Sequence, residues 1–547
     1  MSLLTQDGRD FEALRRDFRH TIPERYNIGV DVCDKHCDRA DQVALYFDTA
    51  AGEESRYTFG ELKDLSNRCA NALRSLGIGK GDRVGIVLPQ RIETAIAHIA
   101  IYKLGAIALP LSILFGRDAV EYRLTDSATK AVITDAAHME LLASLRPTLP
   151  ALEHLIGCDP NTGDPAFWPL VDAASPDFTP VDTLSDDPAL LIYTSGTTGP
   201  PKGALNAHRC LLGNLPGFEL SHNFFPAPDD LLWTPADWAW TGGLLDGLLP
   251  ALHYGVPVLG YAGGRFDPRQ ACELMEKYAV RNSFLPPTAI KMLMQVPNIQ
   301  RYNFKLRSIM SAGEQVGAEV LRWSNEVLGV QLNEMWGQTE FNYLVGNCAA
   351  IMEVKPGSMG KPYPGHDVTP IDDQGQPMPT GEIGELAARI GDPVMFLGYW
   401  GNESATGAKL SGEWFRTGDV GYRDEDGYLW FMGRKDDVIS SAGHRIGPGE
   451  IEDCLLKHPA VAQAAVIGAP DDLRGSIVKA FIVLADGHQP SPALGEAIRT
   501  SVRSRLSAYE YPREIEFIDT LPMTTTGKVR RIDLRRRELA RRQAEDG

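Results

Sequence analysis

The sequence lacks three features: an uninterrupted apolar run, an excess of basic residues and a cluster of cysteines. His98, Lys103 and Pro110 interrupt its most apolar stretch, residues 95–115, whereas a membrane span needs about 20 apolar residues in a row. We therefore expect no membrane-spanning segment there, but a buried helix followed by a strand.

The charge balance is acidic, with 54 Lys+Arg against 72 Asp+Glu and a formal net charge of −18. Such a chain repels nucleic acid and anionic lipid unless its cations cluster. Residues 528–542 form the one dense basic run, and a run of this kind is usually the solvated face of a helix. We therefore expect a solvated C-terminal helix and no nucleic-acid partner.

The eight cysteines are scattered along the chain, and its N-terminus lacks the pattern of a signal peptide. Both observations predict reduced thiols and a cytoplasmic location. Neither a Ser/His/Asp set nor a Cys/His set is evident, so no protein nucleophile is expected. At 547 residues, with 43% hydrophobic and 23% charged residues, the chain should form two or three folded domains.

Helical and strand patterns alternate from residue 57 to about residue 136 and again from residue 189 to about residue 336, which predicts an α/β fold with a parallel sheet covered on both faces. The clearest elements there are a helix over 59–76 and strands over 83–88, 106–109 and 131–134. Beyond residue 360 short strands begin, with a hairpin expected around Asp424 and Gly427. The remainder has the pattern of a small α+β domain, with helices over 448–457 and 492–506 and strands over 461–467 and 478–484.

The strongest single feature is residues 193–203, Tyr-Thr-Ser-Gly-Thr-Thr-Gly-Pro-Pro-Lys-Gly, directly after the apolar run 189–192. Its glycines let backbone N–H groups approach an anion closely, and its hydroxyls and Lys202 add donors and a positive charge. The segment is not a Walker A loop, because no Ser or Thr follows the lysine. It predicts a polyphosphate-binding loop at the end of a strand.

Residues 194–203 resemble the phosphate-binding loop of the adenylate-forming superfamily, which includes acyl-CoA synthetases, peptide-synthetase adenylation domains and luciferases. Further motifs follow in that superfamily's order, at 311–315, 335–340, 414–419, 433–439 and 522–528. The resemblance is closest to acetyl- and medium-chain acyl-CoA synthetases. It implies a large N-terminal domain (1–434) of stacked, mostly parallel α/β sheets with a β-rich subdomain, followed by a small mobile α+β domain (435–547).

The resemblance also implies which residues bind ATP and AMP. In chain order these are Thr194, Ser195, Gly196, Thr197, Thr198, Gly199, Lys202, Gly313, Glu314, Gln315, Trp336, Gly337, Gln338, Thr339, Asp419 and Arg434. Asp419 would accept hydrogen bonds from the ribose hydroxyls, since an acceptor-only carboxylate suits a diol. Glu340 would bind Mg²⁺, which takes hard oxygen ligands. Thr194, Glu340 and Lys528 are the residues that it implies to be catalytic.

Lys528 resembles the C-terminal lysine that reaches into the superfamily's active site during adenylation, where a cation stabilises the charge that builds on the α-phosphate. Because that lysine serves only the first of two steps, the small domain would rotate about the hinge residue Asp436 before the second. Residues 441–445 are similar to the segment that borders the pantetheine tunnel. This similarity implies coenzyme A binding by Gly443, His444 and Arg445.

Residues 235–242 are similar to the acyl-pocket segment of the acetyl and medium-chain branches, which implies that Trp240, Thr241 and Gly242 border the acyl group. Strict acetate enzymes carry a tryptophan directly before the glutamine of the 335–340 motif, whereas this chain has Gly337 there. The missing indole predicts a pocket for an acid larger than acetate, whether medium-chain, branched or aromatic.

The expected activity is that of an ATP-dependent acyl-CoA ligase that uses ATP, Mg²⁺ and coenzyme A. Two alternatives stay open: an adenylating enzyme that loads a separate carrier protein, and a protein that binds nucleotide without catalysis. Intact Lys528, Glu340, Asp419 and Arg434 argue against the second, and a luciferase-type oxygenase is remote. The sequence leaves open whether the chain forms a homo-oligomer.

Overall fold

Helices and strands alternate along most of the chain, as expected of an α/β protein. The computed structural model describes residues 2–5, 7–163, 165–194, 200–264, 266–441, 444–471, 475–506, 511–524 and 528–545. Its strands are β1 (Val43–Thr49), β2 (Glu54–Thr58), β3 (Arg83–Val87), β4 (Ile107–Pro110), β5 (Ala131–Thr134), β6 (His154–Gly157), β7 (Pro188–Thr194), β8 (Lys202–Ala207), β9 (Leu232–Trp233), β10 (Val258–Ala262), β11 (Asn282–Phe284), β12 (Ser308–Ser311), β13 (Asn333–Gln338), β14 (Phe341–Gly346), β15 (Ser358–Pro362), β16 (Val368–Ile371), β17 (Gly384–Arg389), β18 (Gly398–Tyr399), β19 (Leu410–Ser411), β20 (Trp414–Arg423), β21 (Leu429–Arg434), β22 (Ile439–Ser441), β23 (His444–Ile446), β24 (Val461–Asp471), β25 (Gly475–Leu484) and β26 (Glu514–Phe517).

The helices connect these strands and cover the sheets. They are α1 (Phe11–Asp17), α2 (Ile28–Asp31), α3 (Phe59–Ser75), α4 (Ile92–Lys103), α5 (Arg117–Asp126), α6 (Ala136–Leu145), α7 (Phe167–Ala173), α8 (Cys210–Ser221), α9 (Thr241–Gly243), α10 (Leu249–His253), α11 (Pro268–Lys277), α12 (Pro287–Leu293), α13 (Ala318–Trp323), α14 (Glu403–Gly407), α15 (Pro448–Leu456), α16 (Pro492–Arg503) and α17 (Arg531–Glu545). Shorter 3-10 turns lie at Asp34–Arg39, Arg146–Thr148 and Ile299–Arg301, and π-helical turns at Leu244–Leu248 and Ser324–Leu328. No described helix combines the length and the apolar character needed to cross a membrane.

The chain divides into two compact units, Met1–Asp367 with Ala388–Leu410, and Val368–Ala387 with Ser411–Gly547. The predicted boundary after residue 434 rests on the hinge motif, and it stays a prediction.

Two sheets form the frame of the first unit. One has the strand order β18-β8-β7-β4-β3-β5-β6, in which the neighbours from β7 to β6 are parallel and β8 is antiparallel to both β7 and β18. The other runs β15-β14-β13-β12-β11-β9-β10-β1-β2, with parallel pairing from β13 to β1 and antiparallel strands at both ends. These sheets confirm the prediction of a mostly parallel α/β domain.

The second unit is richer in antiparallel pairing. β16, β17, β20 and β21 are neighbours in that order, and β20 and β21 form the hairpin predicted around Asp424 and Gly427. Further on, β25 pairs with β24 antiparallel and with β26 in parallel. Together with α15, α16 and α17 these strands make the α+β part that the sequence predicts.

Local sequence signals explain where several elements begin. The helix α3 starts at Phe59 because Thr58 accepts a hydrogen bond from the backbone of Glu61, whose side chain bonds back to Thr58. This capping box satisfies donors that a helix N-terminus leaves unpaired. The strand β5 has the predicted bounds, because its apolar residues are all buried in the parallel sheet.

The helix α4 and the strand β4 confirm the interpretation of the apolar stretch. Every residue of α4 is buried, as expected of a helix that is apolar on all sides. Lys103, its last residue, is 0% exposed. Its Nζ donates to Ser66 Oγ at 2.9 Å and Asn67 Oδ1 at 2.8 Å, and it forms an ion pair with Asp34 Oδ1 at 2.6 Å. A buried ammonium is therefore matched by one carboxylate and two polar side chains.

We expect Asp34→Ala to destabilise the first unit by about 3 kcal/mol, because it leaves the Lys103 charge buried without its counter-ion. The measurement is the midpoint of urea unfolding. The control is Asp38→Ala, an exposed carboxylate on the same 3-10 turn, which should change stability by less than about 0.5 kcal/mol. Equal midpoints for the two variants would show that the ion pair does not hold α4.

Candidate active site

Neighbouring parallel strands bring two predicted motifs to one edge of a sheet. β11, β12 and β13 lie side by side and end at Phe284, Ser311 and Gln338. Residues 313–315 follow β12, and residues 339–340 follow β13. Since the carboxyl ends of parallel strands form the usual ligand-binding edge of an α/β sheet, the adenine-side and magnesium motifs share such an edge.

The predicted acyl segment reaches the same edge. An added Cβ on Gly242 would lie 2.5 Å from Phe284 Cε1, so the absence of a side chain lets α9 pack against the end of β11. Trp240, just before α9, meets Phe115 edge to face with ring centroids 5.6 Å apart. Thr241 is the first residue of α9. Gly242 therefore lies beside the end of β11, and Trp240 and Thr241 directly precede it in the chain.

The predicted phosphate-binding loop joins two paired strands. Thr194 ends β7 and Lys202 begins β8, where the two residues are antiparallel partners. Thr194 Oγ1 donates to the carbonyl oxygen of Lys202 at 3.4 Å. The loop residues between them that the sequence singles out, Ser195, Gly196, Thr197, Thr198 and Gly199, lie outside the described residues. The described part of this loop is thus its base, where β7 ends and β8 begins.

Tyr399 connects this loop base to the magnesium motif, and sequence reasoning missed it. Lys202 Nζ lies 5.2 Å from the centroid of the Tyr399 ring, and the Tyr399 hydroxyl donates to Glu340 Oε1 at 2.6 Å. The backbone N–H of Phe396 also donates to the Glu340 carbonyl at 3.0 Å. A Gly-Tyr-Trp segment carries no motif of its own, so only the pairing of β18 with β8 reveals Tyr399.

The Glu340 carboxylate suits a magnesium ion. Tyr399 holds one of its oxygens, while no described residue donates a hydrogen bond to the other, Oε2. The residue is half-buried, so the carboxylate has access to solvent. Mg²⁺ prefers a hard oxygen ligand complemented by phosphate and water oxygens, and a second residue that orients the carboxylate strengthens such a site.

The predicted adenine-side motif contains a backbone conformation that favours glycine. Gly313 has φ of +94°, a conformation that side chains with a Cβ rarely adopt. Next to it, the Glu314 carboxylate accepts from Thr288 Oγ1, at 3.0 Å to each oxygen. Thr288 lies on α12 and was also missed, because its contact with Glu314 links segments far apart in sequence.

Position 337 is a glycine for a structural reason that the sequence does not reveal. It sits at an irregularity in the pairing of β13 with β14, where an added Cβ would lie 2.8 Å from Tyr343 N and 3.0 Å from Phe341 O. Both neighbours are backbone atoms of the same hairpin. A tryptophan here would require the hairpin to move, so the glycine by itself is weak evidence for the size of an acyl pocket.

The second unit joins the predicted ribose and hinge residues through one arginine. Asp419, 4% exposed, accepts from Arg434 Nη1 at 2.8 Å, and these residues are partners across β20 and β21. Arg434 Nε also lies 3.8 Å from Asp436 Oδ1. Arg535 of α17 donates to the Asp436 carbonyl oxygen at 2.9 Å. The ribose motif and the hinge therefore share one network.

The C-terminal motif and the predicted coenzyme A segment are described only in part. Lys528 is exposed, and its backbone N–H donates to Thr524 Oγ1 at 3.0 Å. Gly443 lies outside the described residues. His444 and Arg445 lie on β23 as partners of Ser441 and residue 440 on β22, but their side chains are outside the described part.

The basic run of α17 is not a free cationic surface. Arg531 pairs with Glu452 at 2.6 Å and Arg535 with Asp437 at 2.5 Å. Burial of Glu452 raises the pKa of its carboxyl. Alongside the solvated face that the sequence predicts, these arginines therefore hold α17 against its own unit.

Models of two protein families match the chain. The model described as AMP-binding enzyme matches residues 33–400, and the model described as AMP-binding enzyme C-terminal domain matches residues 450–528. Together they span both the phosphate-loop motif and the C-terminal lysine motif.

Relatives and solved structures agree with these matches. The acetyl-coenzyme A synthetase of Bacillus subtilis (strain 168) is 38% identical over 94% of this chain and 91% of that protein. The mitochondrial acyl-coenzyme A synthetase ACSM3 of Rattus norvegicus is 34% identical over 98% of this chain and 94% of that protein. The crystal structure of the anthranilate CoA ligase AuaEII in complex with anthranoyl-AMP has a TM-score of 0.86 at 30% identity, and covers 94% of this chain and 98% of that one. The chain therefore belongs to the AMP-binding enzymes of the adenylate-forming superfamily, among the acyl-CoA synthetases, as its motifs predict.

Proposed function

We propose that this protein is an ATP-dependent acid–CoA ligase that works in two steps. In the first, the carboxylate of the acid attacks the α-phosphate of ATP and pyrophosphate leaves. In the second, the thiol of coenzyme A attacks the acyl carbon and AMP leaves. The observation that carries this proposal is the contact series from Lys202 through Tyr399 to Glu340, which joins a phosphate-loop cation to a carboxylate suited to a metal.

Activation is needed because a carboxylate would have to expel oxide, whereas an acyl-adenylate expels AMP. In our proposal Thr194 and Lys202 hold the phosphates at the base of the loop, and Glu340 is held by Tyr399 in one orientation. Mg²⁺ bound there would neutralise charge on the phosphate oxygens and ease the departure of pyrophosphate. Residues 313–315 and Trp336 to Thr339 would border the adenine and the phosphates, as the superfamily motifs imply.

Asp419 and Arg434 are proposed to bind the ribose and the phosphate side of the nucleotide. Their ion pair fixes the carboxylate before the nucleotide binds, which lowers the ordering cost of binding. Lys528 would stabilise the charge that develops on the α-phosphate, and a rotation about Asp436 would then withdraw it. Arg434 supports this role of Asp436, since it contacts both the ribose motif and the hinge.

The thiol in the second step is proposed to come from coenzyme A. Burial raises the pKa of Cys33 and of Cys69 to about 12, so neither is a ready thiolate. Gly443, His444 and Arg445 are proposed to border the coenzyme A tunnel. All eight cysteines are free, which supports a reducing compartment, and we propose the cytoplasm.

The acid is proposed to be larger than acetate, either medium-chain, branched or aromatic. The names of the relatives range from an acetyl-coenzyme A synthetase to an anthranilate CoA ligase, so similarity leaves the acid open. Since the hairpin itself requires Gly337, Gly337→Trp is not a clean test of pocket size. The size of the acid is better tested with a graded series of acids on the unchanged enzyme.

The first experiment measures pyrophosphate release over a panel of straight-chain, branched and aromatic acids, with and without coenzyme A. We expect release with acids larger than acetate and thioester formation when coenzyme A is present. No release with any acid would overturn the enzymatic proposal. Release without a thioester would instead favour a carrier protein as acceptor, and a preference for acetate would refute the predicted size.

Lys528→Ala should lower the rate of adenylation by about 100- to 1,000-fold, because the developing charge on the α-phosphate loses its cation. Thioester formation from supplied acyl-AMP and coenzyme A should be unchanged. The control is Lys457→Ala, an exposed lysine at the end of α15, which should leave both steps intact. Equal loss of both steps in the Lys528 variant would contradict a role restricted to the first.

Tyr399→Phe keeps the ring beside Lys202 but removes the hydroxyl that orients Glu340. We expect about a 10-fold loss of kcat/KM for adenylation together with a higher Mg²⁺ requirement, as is typical when a residue that orients a metal ligand is lost. The control Tyr278→Phe removes a comparable bond, from Tyr278 to Asp48 Oδ2 at 3.2 Å. An unchanged Mg²⁺ dependence in the Tyr399 variant would show that this hydroxyl does not serve the metal site.

A further inference from the structure

Asp246 is a buried carboxyl that has no assigned role. It lies between the predicted acyl segment and the hairpin of β13 and β14, which carries Glu340. Asp246 is on the π-helical turn Leu244–Leu248, which continues directly from α9. Its Oδ1 accepts a hydrogen bond from the side-chain amide of Asn342, which lies on β14 two residues after Glu340. This hydrogen bond therefore ties the acyl segment to the hairpin that carries the candidate metal ligand.

Asp246 is chemically unusual for so buried a group. It is 3% exposed, and the Asn342 amide is its only hydrogen-bond partner among the described residues. No described cation pairs with it, and burial raises its pKa to about 7. A buried carboxyl without a counter-ion weakens a fold, and an apolar residue of similar shape would cost less.

Two acceptor atoms of this pair have no described donor. These are Oδ2 of Asp246 and Oδ1 of Asn342, which is 7% exposed. Neither atom is among the fully enclosed polar atoms that lack a partner, so both keep some access to a water-sized molecule. Adjacent acceptors in a confined space are complementary to a ligand that donates hydrogen bonds.

The surrounding backbone places the two segments that carry the pair close to predicted acyl residues. The backbone of Asn342 is among the atoms that an added Cβ on Gly337 would meet, at 3.2 Å. On the other side, an added Cβ on Gly247, next to Asp246, would lie 3.6 Å from the carbonyl oxygen of Gly242. The hydrogen bond of the pair thus joins the segment next to Gly242 to the hairpin next to Gly337, two residues predicted to border the acyl group.

We propose that Asp246 and Asn342 form a polar end of the acyl pocket and select a carboxylic acid whose chain or ring carries a hydroxyl or amino donor. This inference rests on the proposed ligase function and names its substrate class. A donor on the acid pairs with Oδ2 of Asp246, whereas an unsubstituted acid leaves that acceptor desolvated and unpaired. Because an unpaired buried acceptor costs about 1–3 kcal/mol, the preference should be about 10- to 100-fold in kcat/KM.

The test compares pairs of acids with the same carbon skeleton, such as benzoate with its hydroxy and amino derivatives, and plain with hydroxylated alkanoates. The rate of pyrophosphate release gives kcat/KM for each acid. The unchanged enzyme should prefer the donor-bearing member of at least one pair by about 10-fold or more. Release with many acids but no such preference would overturn this inference alone, whereas no release with any acid would overturn the proposed function and this inference with it.

Asp246→Asn keeps the shape of the side chain but replaces the Oδ2 acceptor with an amide donor when Oδ1 stays bonded to Asn342. The preference should then shift to acids with an acceptor at the same position, such as keto or methoxy derivatives. The control is Glu219→Gln. Glu219 is another buried carboxyl, and it accepts hydrogen bonds from the backbone N–H of Leu4 and from the Tyr254 hydroxyl. The substrate ratios of this control variant should equal those of the unchanged enzyme.

An Asp246→Asn variant with unchanged ratios would overturn the proposal. If that variant fails to fold, the double variant Asp246→Leu with Asn342→Leu removes both polar groups together and leaves neither partner unpaired. It should lose the donor preference and favour the unsubstituted acid. A retained donor preference in the double variant would equally overturn the assignment of this pair.

Discussion

The hydrogen bond from the Tyr399 hydroxyl to the Glu340 carboxylate is the contact on which the candidate site depends. Tyr399 belongs to the sheet that carries the phosphate loop, and Glu340 follows β13 in the other sheet. Together with the backbone hydrogen bond from Phe396 to the Glu340 carbonyl oxygen, this contact links two sheets built largely from buried apolar strands. The Tyr399 ring also lies beside Lys202, so one side chain contacts both a cation and a carboxylate of the candidate site.

The site is placed by topology more than by local sequence. Parallel pairing of β11, β12 and β13 delivers three segments to one edge, and the missing side chain of Gly242 lets a fourth segment pack against that edge. In the second unit a single arginine connects Asp419 with Asp436. Each of these contacts lies within one unit.

Much of the fold could be predicted because its signals are local. The capping box of Thr58 and Glu61 marks the start of α3, and apolar runs mark β5 and α4. Tyr399 and Thr288 could not be predicted, because each acts through a partner distant in sequence. Gly337 shows a different limit: the sequence suggested space for a substrate, whereas the hairpin backbone already excludes a side chain there. The ion pairs of Arg531 and Arg535 could likewise not be predicted, because their acidic partners lie far from the basic run in sequence.

The ion pairs of α17 also affect the electrostatic field that approaching substrates meet. The arginines with acidic partners present less positive charge to the surroundings, and the chain as a whole carries a net charge of −18. ATP, coenzyme A and a carboxylic acid are all anions, so the long-range field opposes their approach. Salt limits that repulsion to about 8 Å at physiological ionic strength. Encounter is therefore left to diffusion, and capture would fall to cations proposed for the site, such as Lys202 and Lys528.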